Sequence, residues 1–202
     1  MKLQVAIDRV DLHSAKELIE CLKEEADIIE IGTSLIKEFG IKEFFSLTKK
    51  ACLLGDIKTC DEGAYEFILG FETGFQYLTV MGYSSKATLD ICYEITEKYK
   101  RNMMIDLLEC DNQKIKEISN YDNAIYCLHT SVDAGKTKNP IDQIRQFKKQ
   151  FSNIKRIAIA GGIQREHLHD LNKEGIEIVI MGSAITKSTN VKKACHTCKE
   201  EL

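Results

Sequence analysis

Short runs of residues with high β-propensity recur at nearly regular intervals along the 202 residues of the chain. The runs are Leu3–Asp8, Asp27–Ile31, Cys52–Lys58, Tyr77–Gly82, Met103–Leu108, Ile125–His129, Arg156–Gly162 and Ile178–Gly182. Segments with the apolar spacing of a helix lie between them, as in His13–Glu24 and Lys86–Lys98. Strands that alternate with helices pair in parallel through helical crossovers. Eight such units predict an α/β fold, a (β/α)8 TIM barrel. A doubly wound open sheet is the alternative, but its usual glycine fingerprint is missing.

Length and charge limit the class of protein further. We expect one barrel domain over residues 1–202, with residues 187–202 as a closing helix and polar tail, because single α/β barrels commonly take roughly 200–250 residues. The 28 basic and 31 acidic side chains give a net charge of −3, so the chain offers no broad basic surface for nucleic acid or for a membrane. The interrupted apolar pattern of the first eight residues is not that of a signal-peptide core. We therefore expect a cytoplasmic protein with no nucleic-acid and no membrane partner.

The cysteines predict reduced thiols rather than disulfides. The chain has eight, and without an export signal they are expected to stay reduced. Four lie within apolar stretches, where cysteine acts as a small hydrophobic residue: Cys21, Cys52, Cys92 and Cys127. Cys195 and Cys198 lie instead in the polar tail. The favoured interpretation there is a solvated helix end, and half of a zinc site or a redox dithiol are the alternatives.

Nearly every predicted strand ends in a group that can take part in chemistry. These groups are Asp8, Glu30, Asp56 with Lys58, Asp106, His129, the pair Gly161 and Gly162, and the pair Gly182 and Ser183. Side chains alternate between the two faces of a strand. Asp56 and Lys58 therefore share a face with Leu54, and His129 shares one with Cys127. One arrangement turns the charged groups together into the mouth of the barrel, where barrel enzymes build their active sites.

The segment Asp56–Asp61, with the sequence Asp-Ile-Lys-Thr-Cys-Asp, is the densest cluster of charge. Taken alone, it could equally be a strand-end ion pair followed by an aspartate helix N-cap. Asp8 and Glu30 bring the total in the mouth to four carboxylates around Lys58. Their mutual repulsion calls for a cation. Oxygen ligands favour Mg²⁺, which usually takes one or two carboxylates and completes its shell with water and substrate.

His129 is predicted to be a general acid/base or a substrate ligand, since it ends a strand beside hydroxyl side chains. A core histidine bonded to the backbone is the alternative. Asp106 is equally suited to a structural hydrogen bond and to a place in the site.

Glycine-containing turns follow the last two predicted strands, at Gly161–Gly162 and at Gly182–Ser183. Barrels often bind phosphate through backbone N–H groups at these two positions. The string Ala134–Thr137 has the end of a P-loop, but Thr130 stands where that motif needs its first glycine. The residues together predict a small phosphorylated ligand that spans the mouth. Its far end would meet a cation, a lysine and a histidine, which suit enolate or enediolate chemistry.

Six strings have the form of a known family: Lys2–Asp8, Ile29–Thr33, Asp56–Glu66, His129–Thr130, Ala158–Ile163 and Gly182–Thr186. Through them, from Met1 to about Thr186, the chain resembles the 3-hexulose-6-phosphate synthases of the orotidine monophosphate decarboxylase superfamily. The Asp-x-Lys-x-x-Asp string marks the superfamily, and the combination of strings points to the synthases.

The resemblance implies an aldehyde-lyase (aldolase) that adds formaldehyde to D-ribulose 5-phosphate in the ribulose monophosphate route of formaldehyde fixation or detoxification. The product would be D-arabino-hex-3-ulose 6-phosphate, formed through a 1,2-enediolate with Mg²⁺ as cofactor. The implied metal ligands are Glu30 and Asp56. The implied catalytic residues are Lys58, which stabilises the enediolate, His129 for the proton transfers with Asp61 as its rival, and Asp8.

The resemblance also implies a two-fold homodimer, in which Asp61 reaches into the neighbouring subunit's site. The nearest alternative activity is that of 3-keto-L-gulonate-6-phosphate decarboxylases, which have arginines where this chain has Val132 and Ser183. A non-catalytic phosphosugar-binding paralogue is a further hypothesis. The chain departs from the synthase pattern at Ser84–Ser85 and in the segment from residue 130 to residue 139.

Overall fold

Eight parallel strands close into a barrel in the order in which they occur along the chain. The computed structural model describes residues 1–130 and 139–202. The strands are β1 (Lys2–Ile7), β2 (Ile28–Ile31), β3 (Leu53–Thr59), β4 (Tyr77–Met81), β5 (Asn102–Asp106), β6 (Ile125–His129), β7 (Ile157–Ala160) and β8 (Ile178–Met181). The pairing of Leu3 in β1 with Val179 in β8 completes the ring. The predicted (β/α)8 barrel is thus confirmed, and closure excludes an open doubly wound sheet.

Helices connect successive strands on the outside of the barrel. They are α1 (Leu12–Leu22), α2 (Thr33–Phe39), α3 (Gly63–Thr73), α4 (Lys86–Tyr99), α5 (Asn112–Glu117), α6 (Pro140–Gln150), α7 (Leu168–Lys173), α8 (Ser183–Thr186) and α9 (Val191–Lys199), with 3₁₀ turns at Ile41–Phe44 and Arg165–His167. Side-chain caps fix several starts: Asp11 accepts from the N–H of Ser14 at 2.9 Å and Ser85 from that of Thr88 at 3.1 Å. None of the helices in the described chain combines the length and the hydropathy needed to cross a membrane.

The core has two layers, which follow from the alternation of side chains along the strands. The outer layer lies between strands and helices and includes Leu3, Val5 and Ile7 of β1. The inner layer fills the barrel with one or two side chains from most strands: Ile28, Leu54, Tyr77, Met104, Ile125, Cys127, Ala158, Ile178 and Ile180. Leu54 and Cys127 lie inside as predicted, so the polar residues that follow them in the same alternation continue upward into the mouth.

A half-buried ion pair lies at the amino-terminal end of the barrel. Arg156 donates to both carboxylate oxygens of Glu177 at 2.8 and 2.7 Å, and to the side-chain oxygen of Asn102 at 3.2 Å. Together with the inner layer this network occupies the floor of the barrel. The cavity described below lies at the opposite end, where the strands finish.

Helix α9 corrects the expectation of a solvated end at its two cysteines. Cys195 and Cys198 are 0% and 5% exposed, because a spacing of three places both on the helix face that packs inward. Burial raises the pKa of Cys195 to about 12, whereas reactive redox thiols have lowered pKa values. The polar face of the helix carries His196, whose Nδ1 lies 3.1 Å from Glu25 Oε2. Both cysteines are core side chains.

Candidate active site

A cavity of about 630 Å³ opens at the carboxyl ends of the strands. Among the residues predicted from the sequence, those that line it are Asp8, Glu30, Asp56, Lys58, Asp106, His129, Gly161, Gly162, Gly182 and Ser183. The structure therefore brings all of the predicted strand-end groups to one cavity. Asp61 is the exception, since it is exposed and is not among the lining residues.

Lys58 lies between two buried carboxylates. Its Nζ is 3.1 Å from Asp56 Oδ2 and 2.7 Å from Asp106 Oδ2. Burial acts to lower the pKa of Lys58, but the charges of Asp56 and Asp106 and the hydrogen bonds to them outweigh it and raise that pKa. The ammonium group is therefore a permanent positive charge inside the cavity.

Asp106 binds a second partner on the next strand, His129. The Nδ1 of His129 is 2.9 Å from Asp106 Oδ2 and 3.1 Å from Oδ1. Burial acts to raise the pKa of Asp106, but His129 and Lys58 together lower it to about 2. Asp106 is thus ionised at neutral pH and holds the proton of His129 on Nδ1, which leaves Nε2 to exchange protons. Asp106 therefore lines the same cavity as Lys58 and His129, and the partner of His129 is a carboxylate rather than the backbone.

Asp56 accepts hydrogen bonds from two threonines that were not predicted from the sequence. Thr33 donates to Oδ2 at 2.6 Å and Thr79 donates to Oδ1 at 2.8 Å. Lys58 Nζ contacts both oxygens of the same carboxylate, Oδ1 at 3.2 Å and Oδ2 at 3.1 Å. The threonines fix the orientation of the carboxylate toward the cavity.

Glu30 is buried beside Asp56, and its Oε2 accepts a hydrogen bond from Gln4 Nε2 at 2.6 Å. Burial and then the charge of Asp56 raise the pKa of Glu30 to about 8, against the effect of the Gln4 bond. The two carboxylates are thus crowded, and a cation between them would relieve the repulsion. In residues 1–130 and 139–202 no three His, Cys, Asp or Glu side chains converge as a metal cage. Mg²⁺ usually takes only one or two carboxylates, so Glu30 and Asp56 fit its needs.

Asp8 lies just after β1, where Ser34 of α2 donates to its Oδ1 at 2.7 Å. The two segments approach closely because Gly32 precedes α2: a Cβ at Gly32 would overlap the Asp8 carboxylate. The glycine between Glu30 and the helix therefore gives Asp8 its place at the rim of the cavity.

The turn after β7 requires glycine at both positions. Gly161 and Gly162 have φ values of 98° and 68°, a region that other residues disfavour, and a Cβ at Gly161 would also overlap the backbone of Thr130. Gly182 differs, because a Cβ there would meet only ordinary contacts. Two cations that the sequence did not single out, Arg9 and Lys187, line the same cavity. Backbone N–H groups and positive charge together suit an anionic ligand.

Asp61 lies outside the cavity of its own barrel and does not cap the following helix. Helix α3 begins at Gly63, its N-cap position is Glu62 in the left-handed conformation with φ 55°, and no side chain caps it. The helix-cap alternative for Asp61 is therefore wrong. Farther along α3, Tyr65 is 66% exposed and Ile68 is also exposed, so this side of the barrel presents apolar surface next to Asp61.

Val132 and the string Ala134–Thr137 lie outside the described residues. The replacement of arginine by Val132 therefore stays a feature of the sequence, whereas Ser183 stands at the cavity.

Comparison with known proteins identifies the family. Residues 1–198 match the model of the orotidine 5'-phosphate decarboxylase / HUMPS family. A Bacillus subtilis protein named 3-hexulose-6-phosphate synthase is 29% identical over 206 residues, which cover 99% of this chain and 98% of that protein. The crystal structure of 3-hexulose-6-phosphate synthase from Salmonella typhimurium superimposes with a TM-score of 0.91 at 28% identity, covering 100% of this chain and 98% of that one.

A 3-keto-L-gulonate-6-phosphate decarboxylase from Vibrio cholerae has the same fold, with a TM-score of 0.84 at 24% identity, over 99% of this chain and 96% of that one. The resemblance to 3-hexulose-6-phosphate synthases is thus confirmed, and it extends beyond the predicted end at about Thr186 into α9. The chain belongs to the orotidine 5'-phosphate decarboxylase / HUMPS family.

Proposed function

We propose that the chain is an aldehyde-lyase of the 3-hexulose-6-phosphate synthase type, which adds formaldehyde to D-ribulose 5-phosphate with Mg²⁺ as cofactor. The observation that carries the proposal is the connected set Asp56, Lys58, Asp106 and His129 beside Glu30 in one cavity. A fixed ammonium, an oriented imidazole and two crowded carboxylates are the groups that an enediolate intermediate needs. The names of the full-length relatives support this choice.

The phosphate of the sugar would bind at the glycine turns. Backbone N–H groups at Gly161, Gly162, Gly182 and Ser183 supply donors, and Arg9 supplies positive charge at the same cavity. Binding there would orient the sugar so that its ketone end reaches the charged groups on the other side of the mouth.

Glu30 and Asp56 would hold the Mg²⁺ ion, which supplies Lewis-acid polarisation of the ketone and stabilises negative charge on its oxygen. The Gln4 and threonine hydrogen bonds keep the two carboxylates turned toward the cavity. Lys58, whose pKa is raised by its two carboxylate partners, adds a second positive charge where the enediolate forms.

The reaction balances with one base and one acid. Removal of a proton from C1 leaves its electron pair to form the C1–C2 double bond, while the C2 ketone becomes an oxyanion. The electron pair of the C1–C2 double bond then forms a bond from C1 to the formaldehyde carbon, while the oxyanion at C2 becomes a ketone again and the formaldehyde oxygen takes up a proton. His129, oriented by Asp106, carries these protons in our proposal, and Asp61 is the rival base. The product is D-arabino-hex-3-ulose 6-phosphate.

We also propose a two-fold homodimer with shared active sites, because of the position of Asp61. It is exposed and away from its own cavity, beside the exposed Tyr65 and Ile68 of α3. Burial of this apolar surface against a second copy would bring each Asp61 toward the mouth of the partner's barrel.

The free thiols of all eight cysteines support a reducing compartment, the cytoplasm, as the place of action.

The test compares two reactions on one preparation. We expect formaldehyde-dependent consumption of ribulose 5-phosphate, and at most slow release of carbon dioxide from 3-keto-L-gulonate 6-phosphate, because Ser183 supplies no charge where the decarboxylases have arginine. Lys58→Ala should abolish turnover, and the exposed Lys98→Ala should not. The reverse ranking of the two kcat/KM values would refute the assignment. Phosphosugar binding without either reaction would indicate the non-catalytic paralogue.

A further inference from the structure

The pairing of β3 with β4 is broken at the catalytic cluster. Gly55 pairs with Leu78, but the next pair joins Thr59 to Val80, so β3 has two more residues than β4 in this interval. The extra residues include Lys58, which has the left-handed φ value of 47°. Bulges of this kind redirect side chains and leave backbone groups outside the ladder. The backbone N–H of Lys58 therefore needs a partner other than a strand carbonyl.

The side chain of Thr79 on β4 supplies that partner. The N–H of Lys58 donates to Thr79 Oγ1 at 2.9 Å, and the same hydroxyl donates to Asp56 Oδ1 at 2.8 Å. Thr79 is 4% exposed, so water does not readily replace it. Because Lys58 Nζ also donates to Asp56 Oδ1, at 3.2 Å, the hydroxyl closes a ring from the backbone of Lys58 back to its ammonium group.

We propose that Thr79 is a positioning residue, whose hydroxyl holds Lys58 in its left-handed conformation and so fixes the ammonium against Asp56. The hydroxyl is suited to this because it offers one donor and two acceptor positions, and the two bonds use them in complementary directions. The catalytic consequence rests on the proposed function of the chain. The backbone consequence does not, and the two are measured separately.

The experiment compares Thr79→Val, which keeps the shape and removes the hydroxyl, with Thr79→Ser, which keeps the hydroxyl. Amide hydrogen exchange at Lys58, followed by NMR at constant pH, should be at least about tenfold faster in Thr79→Val than in wild type. Thr79→Ser should restore protection. In the synthase assay, Thr79→Val should lower kcat about 10- to 100-fold and change KM for ribulose 5-phosphate much less, since misplacement of a catalytic group affects the chemical step.

Two matched controls separate this role from the general loss of a buried hydroxyl. Thr96 is buried in α4 and donates to the carbonyl of Cys92 at 2.8 Å, so Thr96→Val should leave exchange at Lys58 and kcat unchanged. Thr33 bonds to Asp56 without bonding the N–H of Lys58. Thr33→Val should therefore weaken cation binding, measured with Mn²⁺ by electron paramagnetic resonance, and leave exchange at Lys58 as in wild type.

Unchanged exchange at Lys58 in Thr79→Val would overturn the proposal, as would a failure of Thr79→Ser to restore it. If Thr79→Val does not fold, Thr79→Ala is the second variant. It removes the hydroxyl without putting a methyl group in its place, and the expected result is the same. A wild-type protein without synthase activity would refute the proposed function. The exchange measurement would still decide whether Thr79 holds Lys58.

Discussion

Asp106 connects the lysine and the histidine of the site, so its charge has a measurable effect on both stability and activity. It is 4% exposed and accepts from Lys58 Nζ at 2.7 Å and from His129 Nδ1 at 2.9 Å. Asp106→Asn keeps the shape of the side chain and removes its charge. The lysine and histidine donors would then face an amide, which binds them more weakly.

The size of the effect follows from the pKa of Asp106. That pKa falls from 3.8 to about 2 in the folded protein, and each unit corresponds to about 1.36 kcal/mol. The ionised form thus adds roughly 2 kcal/mol to the free energy of unfolding. Loss of this amount should lower Tm by about 4–8 °C in a chain of this length.

The sign of the pH dependence is fixed because the folded pKa is the lower one. The stabilisation is complete above the unfolded pKa of 3.8 and is lost as the pH falls toward 2. The difference between wild type and Asp106→Asn should therefore shrink as the pH falls below about 4.

Urea denaturation at several pH values, followed by circular dichroism, measures this difference. Asp122→Asn makes the same change of charge at an exposed position and should stay within about 0.5 kcal/mol of wild type. We also expect kcat of Asp106→Asn to fall about 100-fold or more, because His129 loses the group that orients it. Equal stability of wild type and Asp106→Asn at pH 7, or a difference that persists unchanged to about pH 2, would show that the charge of Asp106 does not stabilise the fold.

Three further predictions concern the cation, the phosphate and the subunit interface. Excess chelator should abolish turnover and Mg²⁺ restore it. By calorimetry, Mg²⁺ affinity should rise as the pH is raised through the Glu30 pKa of about 8, since the carboxyl must lose its proton to bind; pH-independent affinity would contradict this. Gly162→Val forces a branched residue to φ 68° and should raise KM for the phosphosugar about tenfold, while His129→Ala changes mainly kcat; unchanged phosphosugar affinity in Gly162→Val would argue against the phosphate site. Mixing inactive Lys58→Ala and Asp61→Ala dimers, with exchange, should restore about a quarter of wild-type activity, because half of the dimers have one intact site; a mixture as inactive as its parents would place Asp61 in its own subunit's site.

The barrel and the side of it that carries the site could be predicted because both depend on periodicity. Alternation along each strand fixes which residues enter the barrel, and strand direction fixes the end at which polar residues collect. The same rule would have found Gln4, which shares the inward face of β1 with Ala6 and Asp8. Gln4 was missed because its polar side chain lies within β1 rather than at the end of the strand.

Contacts that depend on the register between neighbouring strands could not be predicted. The bond between Thr79 and Lys58 exists because β3 has a bulge opposite β4, and the sequence of neither strand specifies that bulge. The left-handed conformation of Glu62, next to Asp61, is likewise a local feature of the backbone. The burial of Cys195 and Cys198 was not predicted because the residues around them are mostly charged or polar. Their spacing of three along α9 would have indicated that they share one inward helix face.

Transfer of a labelled carbon from formaldehyde to the sugar is the decisive test of the proposed synthase activity. Wild-type protein would be incubated with ¹³C-formaldehyde, ribulose 5-phosphate and Mg²⁺, and the reaction followed by ¹³C NMR. If the chain is a synthase, the resonance of hydrated formaldehyde should decline as that of a new hydroxymethyl carbon, C1 of the hexulose phosphate, appears. The transfer should require the phosphosugar and should be lost in Lys58→Ala. Formaldehyde that stays unincorporated with folded wild-type protein, or incorporation that Lys58→Ala leaves unchanged, would contradict the proposed function.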